Sequence, residues 1–360
     1  MKIKILIISI TVIILLVGIL LFLGRRIDVK TNKKVSNLSE ELQEIFYLGS
    51  LAPNSHNIQS WEVTVYPNDE YVVVSADPDK KLDVIDPKGR EVFISLGCYV
   101  ETLMKSFEAF GYTTEFSFDE ENKEITVKYH KSSAETDLSI VDLIKKRHTD
   151  KRGFKNQALS SMYLSSECES IDSFFYFENG SSEFEAIKKS TMDAYIVQAN
   201  NKEAAKELSD WLRLSNEETI KIKDGLPAEQ LGILGIKKSL YYLTTNHESA
   251  TGDSFSKQGI DTTKKQLEGC AGFCVLSSDN TEKQLVDCGM QTVELWLELT
   301  DSGISVQPMS YAIEEKEYRD NLQATLGIDN IQMILRIGFT SDYGSNAGIR
   351  RDLADYISVK

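Results

Sequence analysis

The chain has 360 residues, 41% of them hydrophobic and 26% charged, which excludes collagen-like, low-complexity and wholly disordered proteins. Asp and Glu number 55 against 40 Lys and Arg, and the net charge of −15 repels phosphate backbones, which argues against general nucleic-acid binding. The length allows two or three domains of about 100–200 residues each.

The first element in the sequence is an uncharged apolar segment from Ile5 to Leu23. As a helix rising ~1.5 Å per residue, its 19 residues would span close to the ~30 Å hydrocarbon core of a bilayer. The alternative is a cleaved signal peptide, whose apolar part is usually shorter and ends at small residues, whereas this run ends in Leu-Phe-Leu-Gly-Arg-Arg. We therefore predict a single-pass N-terminal anchor in the cell membrane, with residues 5–24 in the lipid bilayer.

The charges that flank this segment bear on its orientation. Basic residues are more numerous after it than before it, which favours a cytoplasmic body by the positive-inside rule. The short N-terminal flank also permits the opposite arrangement. Without residues 1–26 the chain keeps 36 basic against 55 acidic residues, so only the stretch next to the membrane could attract anionic lipid.

Periodic patterns in the body predict both helices and strands. In chain order these are a helix over 38–51, strands over 63–66 and 71–76, a helix between Gly97 and Gly111, strands over 116–118 and 125–129, helices within 183–214, a strand over 269–277, a helix over 286–300 and a strand over 331–339.

The two halves of the body resemble each other. Gly97 and Gly111 bracket one predicted helix, and Gly289 and Gly303 bracket another with the same spacing. An apolar strand that ends in Asp precedes each of these helices, and a β-rich run follows each. We interpret the pattern as a divergent duplication and divide the chain into a membrane anchor (1–26), a tether (27–37), a first half (38–135) and a second half (136–360).

A loop of neutral hydrogen-bonding residues follows the first helix of the body. Residues 53–61 read Pro-Asn-Ser-His-Asn-Ile-Gln-Ser-Trp. Pro and Asn favour a turn with exposed backbone amides, which suits a flat, hydrogen-bonding ligand better than a charged one. The alternative is a surface loop that satisfies its own hydrogen bonds and is held in the core by Trp61.

A basic stretch stands out in this acidic chain. Residues 145–154, Lys-Lys-Arg-His-Thr-Asp-Lys-Arg-Gly-Phe, hold five of the 40 Lys and Arg residues. Arg147 offers bidentate contacts to phosphate and Thr149 adds a hydroxyl, so the stretch is a candidate anion site. The alternative is a solvated charge run at a helix end. Arg350 and Arg351 form a second basic pair, and most such pairs are surface features.

Other routes to function lack their motifs. The sequence contains no Gly-x-Gly-x-x-Gly, no phosphate loop ending in Lys-Ser or Lys-Thr, no His-Glu-x-x-His and no Gly-x-Ser-x-Gly. Cys270 and Cys274 lie on a predicted apolar strand without a second ligand pair, which favours buried thiols over zinc. We predict neither a metal site nor a catalytic acid or base.

Taken together, the two dense segments resemble motifs of a known family. Residues 53–61 resemble the Pro-Ser-x-x-Asn-x-Gln-Pro-Trp loop of the nitroreductase family of FMN-dependent oxidoreductases, and Arg147-His148-Thr149-Asp150-Lys151 resembles that family's Arg-x-Ser/Thr-x-Lys/Arg motif. The loop precedes the basic motif here, as in the duplicated Acg-like branch of the family. The chain departs from the pattern at Ser60, where Pro is usual, and at Asn54, where Ser is usual. Residues 86–91, 224–227, 335–338 and 350–353 also resemble that branch.

The resemblance implies an α+β sandwich in which a mixed, mostly antiparallel sheet is flanked by helices. Family members are usually homodimers that hold FMN between subunits, and the duplicated branch resembles such a dimer fused into one chain, which implies a monomeric pseudo-dimer. Carried over by position, the residues that would bind FMN are Asn54, Ser55, His56, Asn57 and Gln59 from the first half, and Arg147, His148, Thr149, Lys151, Arg152, Gln307, Pro308, Met309, Ser310, Arg350 and Arg351 from the second.

The function that the resemblance implies is hydride transfer from NAD(P)H to flavin N5 and then to a conjugated acceptor such as a nitroaromatic or a quinone, with ping-pong kinetics. Lys151 would stabilise the anionic reduced flavin. Neither residues 27–50 nor residues 155–205 contain the motifs of a second flavin site, so we expect one FMN per chain. The alternatives are a non-catalytic protein that stores FMN under a covering segment near residues 211–213 and 224–227, and a structural domain without a cofactor.

Overall fold

The computed structural model of the chain describes residues 2–132, 136–161, 164, 171, 174–346 and 348–360, and leaves out the side chains of residues 2–4 and 6. The helices are α1 (Lys2–Leu23), α2 (Glu40–Ser50), α3 (Arg90–Ala109), α4 (Leu138–Lys146), α5 (Ser182–Asn200), α6 (Lys202–Trp211), α7 (Asn216–Ile222), α8 (Ile236–Thr244), α9 (Asp253–Glu268), α10 (Glu282–Asp301), α11 (Tyr311–Glu314) and α12 (Lys316–Leu326). The strands are β1 (Trp61–Tyr66), β2 (Tyr71–Ala76), β3 (Tyr112–Asp119), β4 (Glu124–Lys131), β5 (Phe174–Glu178), β6 (Leu212–Arg213), β7 (Leu226–Pro227), β8 (Gly272–Ser277), β9 (Ser305–Pro308), β10 (Ile331–Gly338) and β11 (Ile357–Val359).

Two sheets flanked by helices give the mixed α+β architecture that the sequence predicts. The first sheet has the order β11-β1-β2-β4-β3 and the second the order β5-β8-β10-β9. Neighbours are antiparallel throughout, apart from the parallel pair of β1 and β11. The series β1-β2-β4-β3 therefore recurs as β5-β8-β10-β9, with α3 and α10 in corresponding places. The resemblance implied a single sheet, whereas the structure divides the strands between two.

Helices α3 and α10 cross at two glycines that the sequence placed at helix ends. A Cβ on Gly97 would lie 2.0 Å from the carbonyl oxygen of Val286, and one on Gly289 would lie 2.1 Å from that of Ile94. Both glycines lie inside their helices, because α3 starts at Arg90 and α10 at Glu282. The predicted bracketing was therefore wrong at its first members. The matched spacing arises from a reciprocal close approach of two backbones, which only residues without a side chain allow.

Between β5 and β8 the chain runs through a series of helices and a small parallel sheet of β6 and β7. A buried ion pair joins this sheet to the turn before β7, where the guanidinium of Arg213 meets the carboxylate of Asp224 at 2.5 Å. The amide of Gly225 donates to the carbonyl of Asn57 at 3.0 Å. The segment over residues 212–227 therefore covers the loop that follows α2.

Residues 27–37, predicted as a tether, are bound to the C-terminal part of the chain. The hydroxyl of Thr31 donates to the carbonyl of Arg350 at 3.0 Å, and the amide of Leu353 donates to the carbonyl of Asn32 at 2.9 Å. Lys223 joins them through a hydrogen bond to the carbonyl of Lys30 at 3.0 Å. These contacts connect the start of the body to the covering segment.

Helix α1 precedes this bound segment, and its described side chains are almost all exposed. Across the residues that the structure describes, none of the helices has both the length and the apolar character that crossing a membrane requires. The predicted single-pass anchor over residues 5–24 is thus not confirmed by the structure.

Candidate functional site

The loop over residues 53–61 has a strained backbone. His56, Asn57 and Gln59 have φ angles of 47°, 54° and 55°, in the left-handed region that residues with a side chain seldom adopt. The side chain of Asn54 holds the turn, because its Oδ1 accepts from the amide of Gln59 at 2.9 Å. Three such residues within four positions cost several kcal/mol, of order 1–3 kcal/mol each, which the surrounding structure has to offset. Strain of this kind is concentrated at functional sites.

The polar side chains of this loop point toward the second half of the chain. Asn57 accepts from Nη1 of Arg350 at 2.8 Å and donates to the carbonyl of Gly225 at 3.0 Å. Gln59 accepts from the amide of Arg351 at 2.9 Å and donates to the carbonyl of Lys223 at 2.9 Å. The structure thus brings the loop together with the second basic pair. It also uses both amide side chains in contacts within the protein.

Arg147 and Arg350 form a buried cationic pair. Each donates to the carbonyl of Leu51, at 2.6 Å and 3.1 Å. Neither meets a carboxylate among the described residues, and Nη1 of Arg147 has no hydrogen-bond partner there. Burial lowers the pKa of Arg147 to about 10. Burial and the positive charge of Arg147 lower the pKa of Arg350 to about 9. Two buried cations without a counter-ion create a strong local preference for an anion.

Other predicted cations are already paired. Arg152 binds Asp150 at 2.7 Å and Asp342 at 2.9 Å, and Arg351 binds Asp77 at 3.2 Å. The resemblance placed both arginines among the residues that would bind FMN, and in the structure their charges are neutralised within the protein. Both fix backbone segments: Arg351, for example, also donates to the carbonyls of Gln59 and Trp61.

His148 and Thr149, the next two predicted residues, lie in sequence between the unpaired Arg147 and the paired Arg152. Nδ1 of His148 lies 2.9 Å from the carbonyl oxygen of Lys146, and its ring meets that of Tyr343 edge to face. Burial lowers the pKa of His148, which keeps the ring neutral at pH 7. Thr149 forms an isolated parallel bridge to Val306, and this bridge ties the basic segment to the second sheet.

Lys151 is the one predicted cation that faces the loop without a fixed partner in the described part of the chain. Burial lowers its pKa to about 8. Its charge in turn contributes to the lowered pKa of His56, which burial brings to about 4, against the opposing effect of Glu91. His56 is therefore neutral at pH 7. Lys151 remains a weakly held cation that a ligand oxygen could bind.

The segment that follows β9 presents two polar atoms without partners. Oε1 of Gln307 and Oγ of Ser310 are buried and make no hydrogen bond within the described structure. Gln307 is oriented by its other amide atom, which donates to Gln266 at 3.1 Å. Pro308 pairs with Leu335 of β10, and Met309 is fully buried in the core, so the side chain of Met309 is not available at the surface of the site.

Sequence reasoning missed a carboxyl pair beside the loop. Glu91, at the start of α3, and Glu314, at the end of α11, are within hydrogen-bonding reach of each other. Ser55 donates to Glu91, and Gln198 donates to Glu314 at 2.7 Å. Burial and the neighbouring Glu91 raise the pKa of Glu314 well above its ordinary value. Glu91 stays ionised because Arg90 lies 2.8 Å from it.

A surface pocket of about 400 Å³ includes Asp28 and Glu229 in its lining, and neither Arg147 nor Arg350 lines it. Asn346 and Ile349 line one side of it, and residues 26–29 line another. Asn346 also donates to the carbonyl of Arg147 at 3.2 Å. The fold and this site together define an α+β protein in which two buried arginines lie beside a strained loop that residues 212–227 cover.

Comparisons with known proteins give weak likenesses only. No protein-family model and no curated protein matches the chain. Solved structures similar to it include a nitroreductase with bound FMN from Desulfitobacterium hafniense DCB-2, at 14% identity over 57% of this chain and 91% of that one, with a TM-score of 0.35. The FMN-dependent nitroreductase NfnB from Mycobacterium smegmatis in complex with NADPH is 16% identical over 61% of this chain and 96% of that one, with a TM-score of 0.37. A nitroreductase-like family protein from Bacillus cereus is 13% identical over 63% of this chain and 99% of that one, with a TM-score of 0.33.

Proposed function

We propose that the chain binds FMN at this site and acts as an NAD(P)H-dependent flavin oxidoreductase. The observation that carries the proposal is the pair of buried, uncompensated arginines, Arg147 and Arg350, beside a strained loop of hydrogen-bonding residues. A phosphate would supply the missing counter-charge through a charge-assisted hydrogen bond from Arg147, and the charge of Arg350 would attract it although the donors of Arg350 already bind acceptors of the protein.

The atoms without partners fit the rest of the same ligand. Nη1 of Arg147 can donate to a phosphate oxygen, while Gln307 and Ser310 can hydrogen-bond the polar edge of a flavin ring. Lys151 would find in a flavin carbonyl oxygen the acceptor that the protein does not provide. Each of these atoms pays a desolvation cost of roughly 1–3 kcal/mol while it is unpaired, and ligand binding would remove that cost.

Bound FMN would supply the redox chemistry, accepting a hydride from NADH or NADPH and passing electrons to a conjugated acceptor such as a nitroaromatic or a quinone. The chain's residues hold and position the cofactor. The positive charge of Lys151 favours an anionic form of the ring. Neutral His56 would offer hydrogen bonds without adding charge. We further propose one FMN per chain and a monomer as the working unit, since residues from both halves form the one site.

Removal of the buried arginines tests the site directly. In Arg147→Met and Arg350→Met proteins, affinity for FMN should fall by roughly 10- to 100-fold each, as measured by quenching of FMN fluorescence. Arg152→Met is the matched control, because this arginine is already paired with two carboxylates, and its affinity for FMN should change much less. Equal losses in all three variants, or a wild-type protein that does not bind FMN, would overturn the assignment.

Reduction of the loaded protein separates catalysis from storage. The yellow wild-type protein should be bleached by NADH or NADPH without air and recoloured by a quinone or a nitroaromatic compound. A flavin that stays yellow after prolonged exposure to both nucleotides would instead indicate the storage protein.

A further inference from the structure

One helix of the body exposes an apolar face without a protein partner among the described residues. On α8, Ile236, Leu240 and Leu243 follow one another at the spacing of one helix face, and they are 39%, 47% and 64% exposed. Leu234, just before the helix, is 54% exposed. Four large apolar side chains close together on the surface of a soluble domain indicate a binding surface rather than chance exposure.

The side of α8 that carries Ser239, next to the apolar face, lies against the end of α1. The hydroxyl of Ser239 donates to the carbonyl of Leu20, and Nζ of Lys238 donates to the carbonyl of Arg25 at 3.1 Å. A Cβ on Gly24 would lie 2.0 Å from the carbonyl oxygen of Gly235, so the two backbones touch. The apolar face of α8 therefore continues the exposed apolar surface of α1.

Charge distinguishes this surface from the rest of the molecule. The chain has 55 acidic residues, yet residues 1–27 and 230–247 contain none. Lys237, Arg25 and Arg26 are exposed in the same region, while Lys238 is neutralised by Glu229. An acidic protein that excludes acidic residues from two adjoining segments presents a surface that is both apolar and cationic. This combination is typical of helices that lie in the interface of anionic membranes.

We propose that α8 is an interfacial helix, which rests on the surface of a lipid bilayer beside α1 with Leu240 and Leu243 immersed among the lipid headgroups and upper acyl chains. A second copy of the chain fits this face less well. In a twofold dimer the same patch would meet itself, which would bring the exposed cations Arg25, Arg26 and Lys237 of one copy close to those of the other. The helix does not need to cross the bilayer for this role, because interfacial helices bury only one face.

The test measures the depth of single positions in the full chain. A fluorophore sensitive to polarity is attached to Cys in Leu243→Cys or, as a control, in Lys316→Cys on α12, in proteins that also carry Cys168→Ser. The native thiols of Cys98, Cys270, Cys274 and Cys288 are buried. The proteins are reconstituted into vesicles of 3:1 POPC to POPG, with or without lipid that carries a doxyl quencher on its acyl chain.

The proposal expects the probe at position 243 to be quenched several-fold more strongly than the probe at position 316. Addition of Leu240→Glu should reduce that quenching, because a carboxylate opposes immersion of the face. Equal quenching at both positions, or protein that does not float with the vesicles, would overturn the proposal. Self-quenching that depends on protein concentration and not on the quencher lipid would show that a second copy occupies the face.

Discussion

The buried charge of Lys151 can be tested in the cofactor-free protein, because it should lower the free energy of unfolding. Its pKa falls from an ordinary value of about 10.4 to about 8 because the charged ammonium is desolvated. A basic group whose pKa is lower in the folded protein than in the unfolded chain destabilises the folded protein. It does so at every pH at which the group is protonated in the unfolded chain. The cost is fully present below pH 8 and is recovered as the pH rises from about 8 toward 10.4.

The size of the effect follows from the shift. At roughly 1.36 kcal/mol per pKa unit, the cost at pH 7 has an upper bound of about 3 kcal/mol. The side chain is partly exposed, so we expect between about 1 and 3 kcal/mol. In the cofactor-free protein, Lys151→Met should therefore raise the free energy of unfolding at pH 7 by that amount, and the advantage should shrink as the pH rises toward 10.

Urea unfolding followed by tryptophan fluorescence measures this difference, because Trp61 and Trp296 are fully buried in the folded chain. Lys264→Met, at an exposed position on α9, is the matched control and should leave stability unchanged. The same Lys151→Met protein should shift the reduction potential of bound FMN downward. A Lys151→Met protein that is less stable than the native protein at pH 7 without cofactor, or that leaves the potential of bound FMN unchanged, would refute this role of Lys151.

Three further perturbations probe the frame of the site. Gly97→Ala should destabilise the protein by about 1–3 kcal/mol or more in urea unfolding, because its methyl group would press on a backbone oxygen, whereas Gly153→Ala, in open space, should be nearly neutral. Asp224→Asn should increase hydrogen exchange over residues 212–227, since the buried Arg213 would lose its counter-ion. Glu314→Gln should match or exceed the stability of the native protein at pH 7, because burial and the charge of Glu91 raise the pKa of the native carboxyl well above its ordinary value and so oppose its ionisation. As the pH rises above 4.5, the ordinary pKa of a Glu carboxyl, the free energy of unfolding should fall less in this variant than in the native protein.

The sequence predicted the parts of the structure that local patterns determine. Strand β2 was placed at its observed bounds, and the helices near residues 40–50 and 282–301 were placed within a few residues, because their apolar spacing is set by the faces they bury. The start of α3 was missed by seven residues. Its first amides, those of Glu91 and Val92, are capped by Asp86 at 2.8 Å and 3.2 Å, from outside the apolar pattern.

The sequence indicated candidate site residues, and it indicated much less about what each of them contacts. A run of basic residues does not show which of them will be neutralised, because Asp342, which binds Arg152, and Asp77, which binds Arg351, come from distant parts of the chain. The carboxyl pair of Glu91 and Glu314 was missed for the same reason, since only the tertiary fold brings them together. Asn57 and Gln59, two of the residues in the left-handed conformation, make hydrogen bonds to the second half, and no local sequence pattern contains those contacts.

Strand β11 has a consequence for how this chain is made. It pairs in parallel with β1, with Val63 opposite Ile357, although nearly three hundred residues separate the two. During translation, the amino-terminal sheet therefore has one open edge until residues 357–359 have emerged from the ribosome. A truncation that removed only those residues would damage the part of the protein that was synthesised first.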